Sequence, residues 1–211
     1  MLDQLFHLFG PGVIHHPIED LKATREINTT IEDLDMDAKN WVEQAARKTG
    51  AVKGKTYVKL DHGVLTVDQL NAFLNSMPME LTFADSNNQF LYYNYHLKKE
   101  DMLADRHPNQ VGNSLSACHP KYAIGHVDYV IQELRNNKID TYQINAPNED
   151  PSKYVVHNYT SVIDNQGNFL GVNEYVHDIK PLIDWYLKET GQQLVQNEDV
   201  DAITSASQSN E

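Results

Sequence analysis

The sequence predicts an α+β fold in which helices cover one face of a five-stranded antiparallel sheet. Apolar residues alternate with a period of two in two separated regions, residues 80–95 and 155–178, and a polar turn interrupts each region. A helical pattern and a further short alternating segment lie between these regions. Two hairpins joined by a helical crossover leave one sheet face for the helices, and a cavity between the two layers is a natural ligand site.

Residues 1–53 are interpreted as an N-terminal arm followed by helices. The first 16 residues are apolar and are interrupted by glycine and proline. A helix is predicted over 36–49, with Asp35 or Asp37 as its cap and Gly50 as its end. Its apolar face is narrow, and we expect it to pack on a partner surface because such a helix is marginal alone.

Two elements precede the first hairpin. Residues 55–65 alternate as a short strand or an extended linker does. Residues 66–78 are predicted to form a helix, because leucine and phenylalanine recur there at helical spacing. Thr66 is expected to cap this helix, and Pro78 is expected to end it.

The strands and the crossover helix come next. A polar loop, residues 96–117, leads to a helix predicted at about 120–136. Pro120 is expected in the first turn of this helix, with Cys118 or His119 at its cap. The five predicted strands are residues 80–85, 89–95, 139–146, 155–164 and 168–179.

A last helix and an acidic segment follow the sheet. The helix is predicted over 178–191, with Pro181 in its first turn and Gly191 just past its end. The segment 191–211 is acidic and rich in serine and contains no lysine or arginine. We expect it to be a disordered tail.

The charge and the cysteine content exclude several classes of protein. A formal net charge of −13 repels nucleic-acid phosphates and anionic membrane surfaces, so neither is an expected partner. No apolar run approaches a membrane span, and the N-terminus carries Asp3 rather than a basic signal region. A single cysteine excludes an internal disulfide and fits the reducing cytoplasm, where we expect the protein to act.

The sequence contains no motif that indicates an enzyme. It has no glycine-rich phosphate loop before a helix and no nucleophile elbow. Its carboxylates lie on turns and helix starts, where capping explains them. We therefore expect a non-enzymatic protein.

Three stretches carry a resemblance to a known family. They are LTVDQLNAFLNSMPMELTFADSNNQFLYYN, VGNSLSACHP and NFLGVNEYVHDI. The order of elements resembles the PAS fold, and these stretches resemble a bacterial and archaeal PAS family whose members are often attached to a hemerythrin-like iron-binding domain. The resemblance implies a sensory and ligand-binding domain at residues 54–190 that signals through a partner. The hemerythrin-like domain itself is not expected here, because its iron site needs several ligands on four long helices.

The chain departs from the usual pattern of that family at four positions. The family usually has arginine at the places of Asn113 and Asn158, and a second proline at the place of Lys121. It usually has histidine at the place of Gly125, whereas this chain has His126, which a helix rotates by about 100°. If the family binds an anionic ligand, this chain holds it differently or not at all.

The CHP stretch at 118–120 leaves several interpretations open. Cys118 and His119 are structural residues at a helix start, or they belong to a cofactor site that also includes His126, seven residues after His119. The cofactor alternatives are haem with His119 as the metal ligand, a flavin or small metabolite, or redox chemistry at Cys118. The candidate ligand-binding residues are Cys118, His119, Tyr122, His126, Tyr129 and Asn158.

The last helix predicts an interaction surface. It contains Leu182, Ile183, Trp185, Tyr186 and Leu187, more apolar surface than one stripe facing its own sheet requires. We expect a homodimer, or a separate effector protein, to cover part of this helix.

Overall fold

The computed structural model describes residues 31, 34–36, 38–145, 150 and 152–195. The predicted arm and the part of the predicted tail beyond Val195 lie outside the described residues. The residues between the arm and Trp41 are only partly described. The predicted fold class is confirmed: helices accompany a five-stranded antiparallel sheet.

The sheet is built from five strands. They are β3 Glu80–Asp85, β4 Phe90–Tyr93, β5 Thr141–Asn145, β6 Val155–Ile163 and β7 Phe169–Asp178. Their spatial order is β4-β3-β7-β6-β5, with every neighbouring pair antiparallel. The five strands predicted from the alternating pattern are confirmed, each within three residues at either end. A central β7 places its side chains between those of β3 and β6.

Helices and a small hairpin complete the structure. The helices are α1 Trp41–Thr49, α2 Val67–Asn75, α3 Leu115–Cys118, α4 Ile124–Arg135 and α5 Lys180–Thr190. The hairpin consists of β1 Tyr57–Leu60 and β2 Gly63–Thr66. Two short 3₁₀ turns, Lys99–Asp101 and Pro108–Gln110, lie in the predicted loop between β4 and α3.

The core divides into two main clusters. Helix α4 places Ile124, Val130, Ile131 and Leu134 against Val172 of β7. Helix α1 places Trp41 and Ala45 against Phe90 of β4 and Val111. The predicted packing of the first helix on the sheet is thus present.

Three local predictions needed correction. The segment 55–65, left open as a strand or a linker, is most of a hairpin with a turn at Asp61 and His62. The helix predicted from 36 begins at Trp41, because Asn40 adopts the left-handed conformation with φ 55° and interrupts the helical path. The helix predicted to run to Pro78 ends at Asn75, although its predicted cap is confirmed: Thr66 accepts a hydrogen bond from the Gln69 amide at 3.1 Å.

The start of the crossover helix was also predicted wrongly. Cys118 ends the short helix α3, His119 follows it in an extended conformation, and α4 begins only at Ile124. Pro120 explains the break, because the ring of a proline disfavours the helical conformation of the residue before it. Residues 118 and 119 therefore do not cap the long helix.

Candidate functional site

A cavity of about 60 Å³ lies between helix α4 and the sheet. The sheet forms its floor, and α3 and α4 form its roof. It is lined by Thr82, Ala84, Leu115, His119, His126, Val127, Val130, Ile131, Tyr159, Val172 and Glu174. Most of these side chains are apolar, so the few polar groups determine what the cavity can recognise.

The polar groups of the floor form one row across three strands. In the register of the sheet, Thr82 of β3 and Tyr159 of β6 both stand opposite Glu174 of β7. Side chains of residues paired in this way point to the same face. The hydroxyl groups of Thr82 and Tyr159 therefore flank a buried carboxylate.

Glu174 is the centre of a buried ion-pair network. Its Oε2 lies 2.5 Å from the guanidinium Nη2 of Arg106, and its Oε1 accepts a hydrogen bond from Nδ1 of His157 at 2.9 Å. Only 12% of the Glu174 side chain and 21% of the Arg106 side chain are exposed. A charge-assisted pair at this depth is strongly held, since water competes little for either group.

These neighbours determine the charge of Glu174. Burial alone raises the pKa of this carboxyl, but the hydrogen bond from His157 and the charge of Arg106 outweigh burial and lower the pKa to about 2. Tyr159, which also hydrogen-bonds to Glu174, has its pKa raised, first by burial and then by the carboxylate. At neutral pH the floor thus contains an ionised carboxylate beside a protonated phenol.

A second carboxylate positions the arginine. Glu80, at the start of β3, accepts hydrogen bonds from the backbone amides of Leu103 and Ala104 at 2.6 and 2.9 Å. These bonds hold the loop against the start of β3, and Arg106 reaches Thr82, with its Nε 3.2 Å from the Thr82 hydroxyl. The loop between β4 and α3 is therefore part of the site.

Two histidines form the polar part of the roof. Nδ1 of His119 lies 2.8 Å from the carbonyl oxygen of Leu115, and because a carbonyl only accepts, Nδ1 carries the proton. His126 lies beside the rings of Tyr129 and Tyr142, with centroids 6.4 and 5.4 Å away. Burial lowers the pKa of His126 to about 4, so it is neutral at pH 7.

The structure brings together only part of the predicted site. His119 and His126 line the cavity, although only His126 lies on helix α4 and His119 precedes it. Tyr129 packs beside His126 in the α4 cluster. The other three predicted residues lie elsewhere.

Cys118 packs beside the Trp41 cluster, and burial raises the pKa of its thiol, which opposes formation of a reactive thiolate. Tyr122 is 81% exposed. Asn158 stands next to Tyr159 on β6 and therefore points to the opposite face, where its Oδ1 accepts a bond from Gln143 at 2.5 Å. These three residues do not line the cavity.

Sequence reasoning missed the ion pair at the floor. Arg106 and Glu174 are 68 residues apart, and no local pattern connects a loop arginine to a strand glutamate. One signal was present: Glu174 occupies an inward position of an alternating strand, where a charged residue requires a partner.

The residues present do not fit a haem. Ligand pockets for drug-sized molecules measure roughly 300–1,000 Å³, several times the volume of this cavity. Within the described ranges, no group of three or more His, Cys, Asp and Glu residues is arranged to hold a metal ion.

The described helices were compared with what a membrane-spanning helix requires. In the part of the chain that the structure describes, none of the helices combines the length and the apolar character that crossing a bilayer demands.

Comparison with solved structures gives several similar folds. The C-terminal domain of a Streptococcus mutans protein is 36% identical to this chain, with a TM-score of 0.60, and the match covers 63% of this chain and 99% of that one. The PAS domain of a Colwellia psychrerythraea protein is 12% identical, with a TM-score of 0.37, covering 54% of this chain and 97% of that one. The PAS domain of Bordetella pertussis BvgS is 11% identical, with a TM-score of 0.35, covering 59% and 97%.

The family follows from the sequence match. No curated protein matches the chain. The PAS domain family, however, matches residues 70–180, which is just over half of the chain and includes the sheet, the α4 roof and the ion-pair network. The chain therefore belongs to the PAS domain family of sensory modules.

Proposed function

We propose that this PAS domain binds a small molecule in the cavity between α4 and the sheet, and that it signals to a partner protein without catalysing a reaction. The observation that carries this proposal is the buried Arg106–Glu174 pair at the floor of a mainly apolar cavity. A buried ion pair is weak evidence for stability alone, because desolvation offsets much of its attraction. Its place beside an open volume supports a role in recognition.

The cavity limits the size of the ligand. One water molecule needs about 10–15 Å³, so 60 Å³ accommodates about four to six non-hydrogen atoms. The engineered apolar cavity that holds benzene in another protein is larger, at about 150 Å³. A small metabolite fits this cavity, whereas a flavin requires the layers to move apart.

Strand β7 connects the cavity to the C-terminal helix. Glu174 lies four residues before the end of β7, and α5 begins two residues after that end. Asp178 ties the junction together, since its Oδ1 accepts hydrogen bonds from the amides of Tyr154 and Lys180 at 2.9 and 3.0 Å. A ligand that alters the contacts of Glu174 is thus linked to α5 by a single strand.

Helix α5 provides the output surface in this proposal. Leu182, Trp185 and Tyr186 are 63%, 59% and 47% exposed, and their spacing places them on neighbouring positions of the helix. We propose that a second copy of the chain covers them, because a two-fold contact between identical surfaces is the commonest arrangement of soluble oligomers. The net charge of −13 makes an apolar contact the favourable one.

The proposal also includes the subfamily of the protein and the compartment in which it acts. The stretch from Val111 to Pro120 supports a place among the PAS proteins often attached to hemerythrin-like domains. The single cysteine supports action in the cytoplasm.

A cavity-filling variant tests ligand binding. Methyl resonances of Val127, Val130 and Ile131 are recorded while acetamide and acetone are added to the wild-type protein. We expect saturable shifts of these resonances and their loss in Val130→Phe, whose ring occupies the cavity. The control is Val64→Phe, on the exposed hairpin, which should retain the shifts. Shifts that persist in a folded Val130→Phe protein would contradict the proposed site.

An absorption spectrum tests the haem alternative. The protein is purified from cells supplied with haem, and we expect no Soret band. A stoichiometric Soret band that His119→Ala removes would show that the cavity opens to admit a haem, and it would overturn the small-ligand proposal.

A further inference from the structure

We infer that the cavity selects an uncharged hydrogen-bond donor, such as an amide or a hydroxyl compound, and rejects carboxylates and other anions of the same size. This inference rests on the proposed function, because it defines the ligand class of the same cavity. It follows from an inventory of the donors and acceptors that surround the open volume.

The arginine beside the cavity has little capacity for an anion. Three of its five N–H groups already donate hydrogen bonds, and these include the Nε and Nη2 fork: Nε to Thr82 Oγ1 at 3.2 Å, Nη2 to Glu174 at 2.5 Å and Nη1 to the carbonyl of Asp105 at 3.2 Å. Recognition of a carboxylate by arginine uses two parallel N–H groups. Here that fork is shared between a carboxylate and a hydroxyl of the protein itself.

The remaining hydrogen-bonding capacity of the floor is mainly for accepting, and the hydroxyl proton of Thr82, whose oxygen accepts from Arg106, is a donor there. A carboxylate has about four lone-pair positions, and Glu174 uses some of them for Arg106, His157 and Tyr159. Tyr159 directs its only proton to that carboxylate, which leaves its oxygen as an acceptor. Both atoms belong to residues that line the cavity, so a donor on the ligand can be received there.

The roof adds a further acceptor. Nδ1 of His119 donates its proton to the carbonyl oxygen of Leu115, and in the tautomer that has its one ring proton on Nδ1, the Nε2 is an acceptor. A ligand that brings N–H or O–H groups complements these acceptors. A ligand that brings only acceptors can bond to the Thr82 hydroxyl proton but offers nothing to the oxygens of Glu174 and Tyr159, so it gains fewer hydrogen bonds than a donor does.

The net charge of the groups around the cavity favours a neutral ligand. The buried pair of Arg106 and Glu174 sums to zero charge, and His126 above it is neutral. An added anion lies near the Glu174 carboxylate, where repulsion is weakly screened, and an added cation finds Glu174 already neutralised by Arg106. Either ion would lose its hydration without gaining a partner.

Three probes of nearly equal size test the inference. Acetamide carries two N–H donors, acetone carries none, and acetate is an anion, and all three have four non-hydrogen atoms. Their dissociation constants are measured at pH 7 from the methyl shifts of the cavity residues. We expect acetamide to bind at least about tenfold more tightly than acetone, and acetate to cause no saturable shift.

The variant Glu174→Gln removes the negative charge from the floor of the cavity. Glu174→Gln leaves the Arg106 charge uncompensated, and we expect acetate to bind this variant at least about tenfold more tightly than it binds the wild type. The control is Glu189→Gln on the exposed face of α5, which should keep the wild-type order of probes. If Glu174→Gln does not fold, the order of the three probes on the wild-type protein decides the question by itself.

The outcomes separate the two claims. Binding of acetate to the wild-type cavity as tightly as acetamide would overturn the inference and leave the binding site in place. Equal binding of acetone and acetamide would also overturn it, since donors would then contribute nothing. Failure of all three probes to bind would remove the proposed site and the inference with it.

Discussion

Two residues that line the cavity hold opposite charge states by different means. Glu174 stays ionised because the hydrogen bond from His157 and the charge of Arg106 outweigh its burial, whereas burial lowers the pKa of His126 to about 4 and keeps it neutral at pH 7. Both states become less favourable in acid, but over different pH ranges. Stability measurements can therefore distinguish the two residues.

His126 is expected to make the protein sensitive to mild acid. Its pKa falls from 6.5 to about 4 on folding, so between these values the unfolded chain binds a proton that the folded chain does not. The stabilisation is complete above pH 6.5 and is lost as the pH falls towards 4, by at most about 3 kcal/mol. Urea unfolding of His126→Gln should show a smaller loss of unfolding free energy between pH 7 and pH 4 than the wild type. The exposed His62→Gln serves as control and should follow the wild type. Parallel curves for His126→Gln and the wild type would refute the assigned state.

Glu174 is expected to contribute at lower pH. Its folded pKa of about 2 lies below the ordinary value of 4.5, so its contribution is present above pH 4.5 and is lost as the pH falls towards 2. At pH 7, Glu174→Gln leaves a buried guanidinium unpaired and should lower the unfolding free energy by about 3–5 kcal/mol. The exposed Glu189→Gln should change it by less than about 0.5 kcal/mol. A change below about 1 kcal/mol in Glu174→Gln would show that the pair is not buried as described.

At the scale of elements, the strands could be predicted and several helix boundaries could not. A period of two over five to ten residues is a strong signal, because every second side chain enters the core. The start of α1 depends on one left-handed residue, Asn40, and the gap between α3 and α4 depends on Pro120. Such single residues change the path of the backbone without changing the hydrophobic pattern.

The candidate site was predictable to the same limited degree. His119 and His126 were found because they flank one local stretch of sequence. The floor was not found, because strand pairing brings together Thr82, Tyr159 and Glu174 from three separate segments. Without the register of the sheet, no sequence spacing indicates that these side chains share a face.

The attachment of α1 depends on a glycine. Gly112 has φ 99°, and a Cβ there would lie 2.3 Å from ring atoms of Trp41. Gly112→Ala should therefore displace the indole and lower the unfolding free energy by about 2–4 kcal/mol, from backbone strain and overpacking. In a Trp185→Phe background the emission of Trp41 should move to longer wavelength. Gly125→Ala, where a Cβ meets nothing within 4 Å, is the control and should leave both measurements nearly unchanged. Unaltered Trp41 emission in Gly112→Ala would show that this contact does not hold α1.

For the whole molecule, the exposed apolar face of α5 predicts self-association. We expect sedimentation to show a dimer at tens of micromolar that tightens from low to moderate salt, because salt screens the repulsion between chains of charge −13. Trp185→Ser should favour the monomer. Tyr95→Ser provides a matched control, since both aromatic side chains are 59% exposed. A wild-type monomer under both salt conditions would leave α5 to a different partner.

Occupation of the cavity should change the C-terminal helix, and amide hydrogen exchange measures this link. Exchange is measured with and without saturating acetamide in the wild type and in Val130→Phe. We expect acetamide to change exchange around Arg106, along β7 and across Lys180–Thr190 in the wild type, and we expect none of these changes in Val130→Phe. Acetamide that altered exchange beside the cavity while leaving Lys180–Thr190 unchanged would contradict the claim that this domain signals through α5.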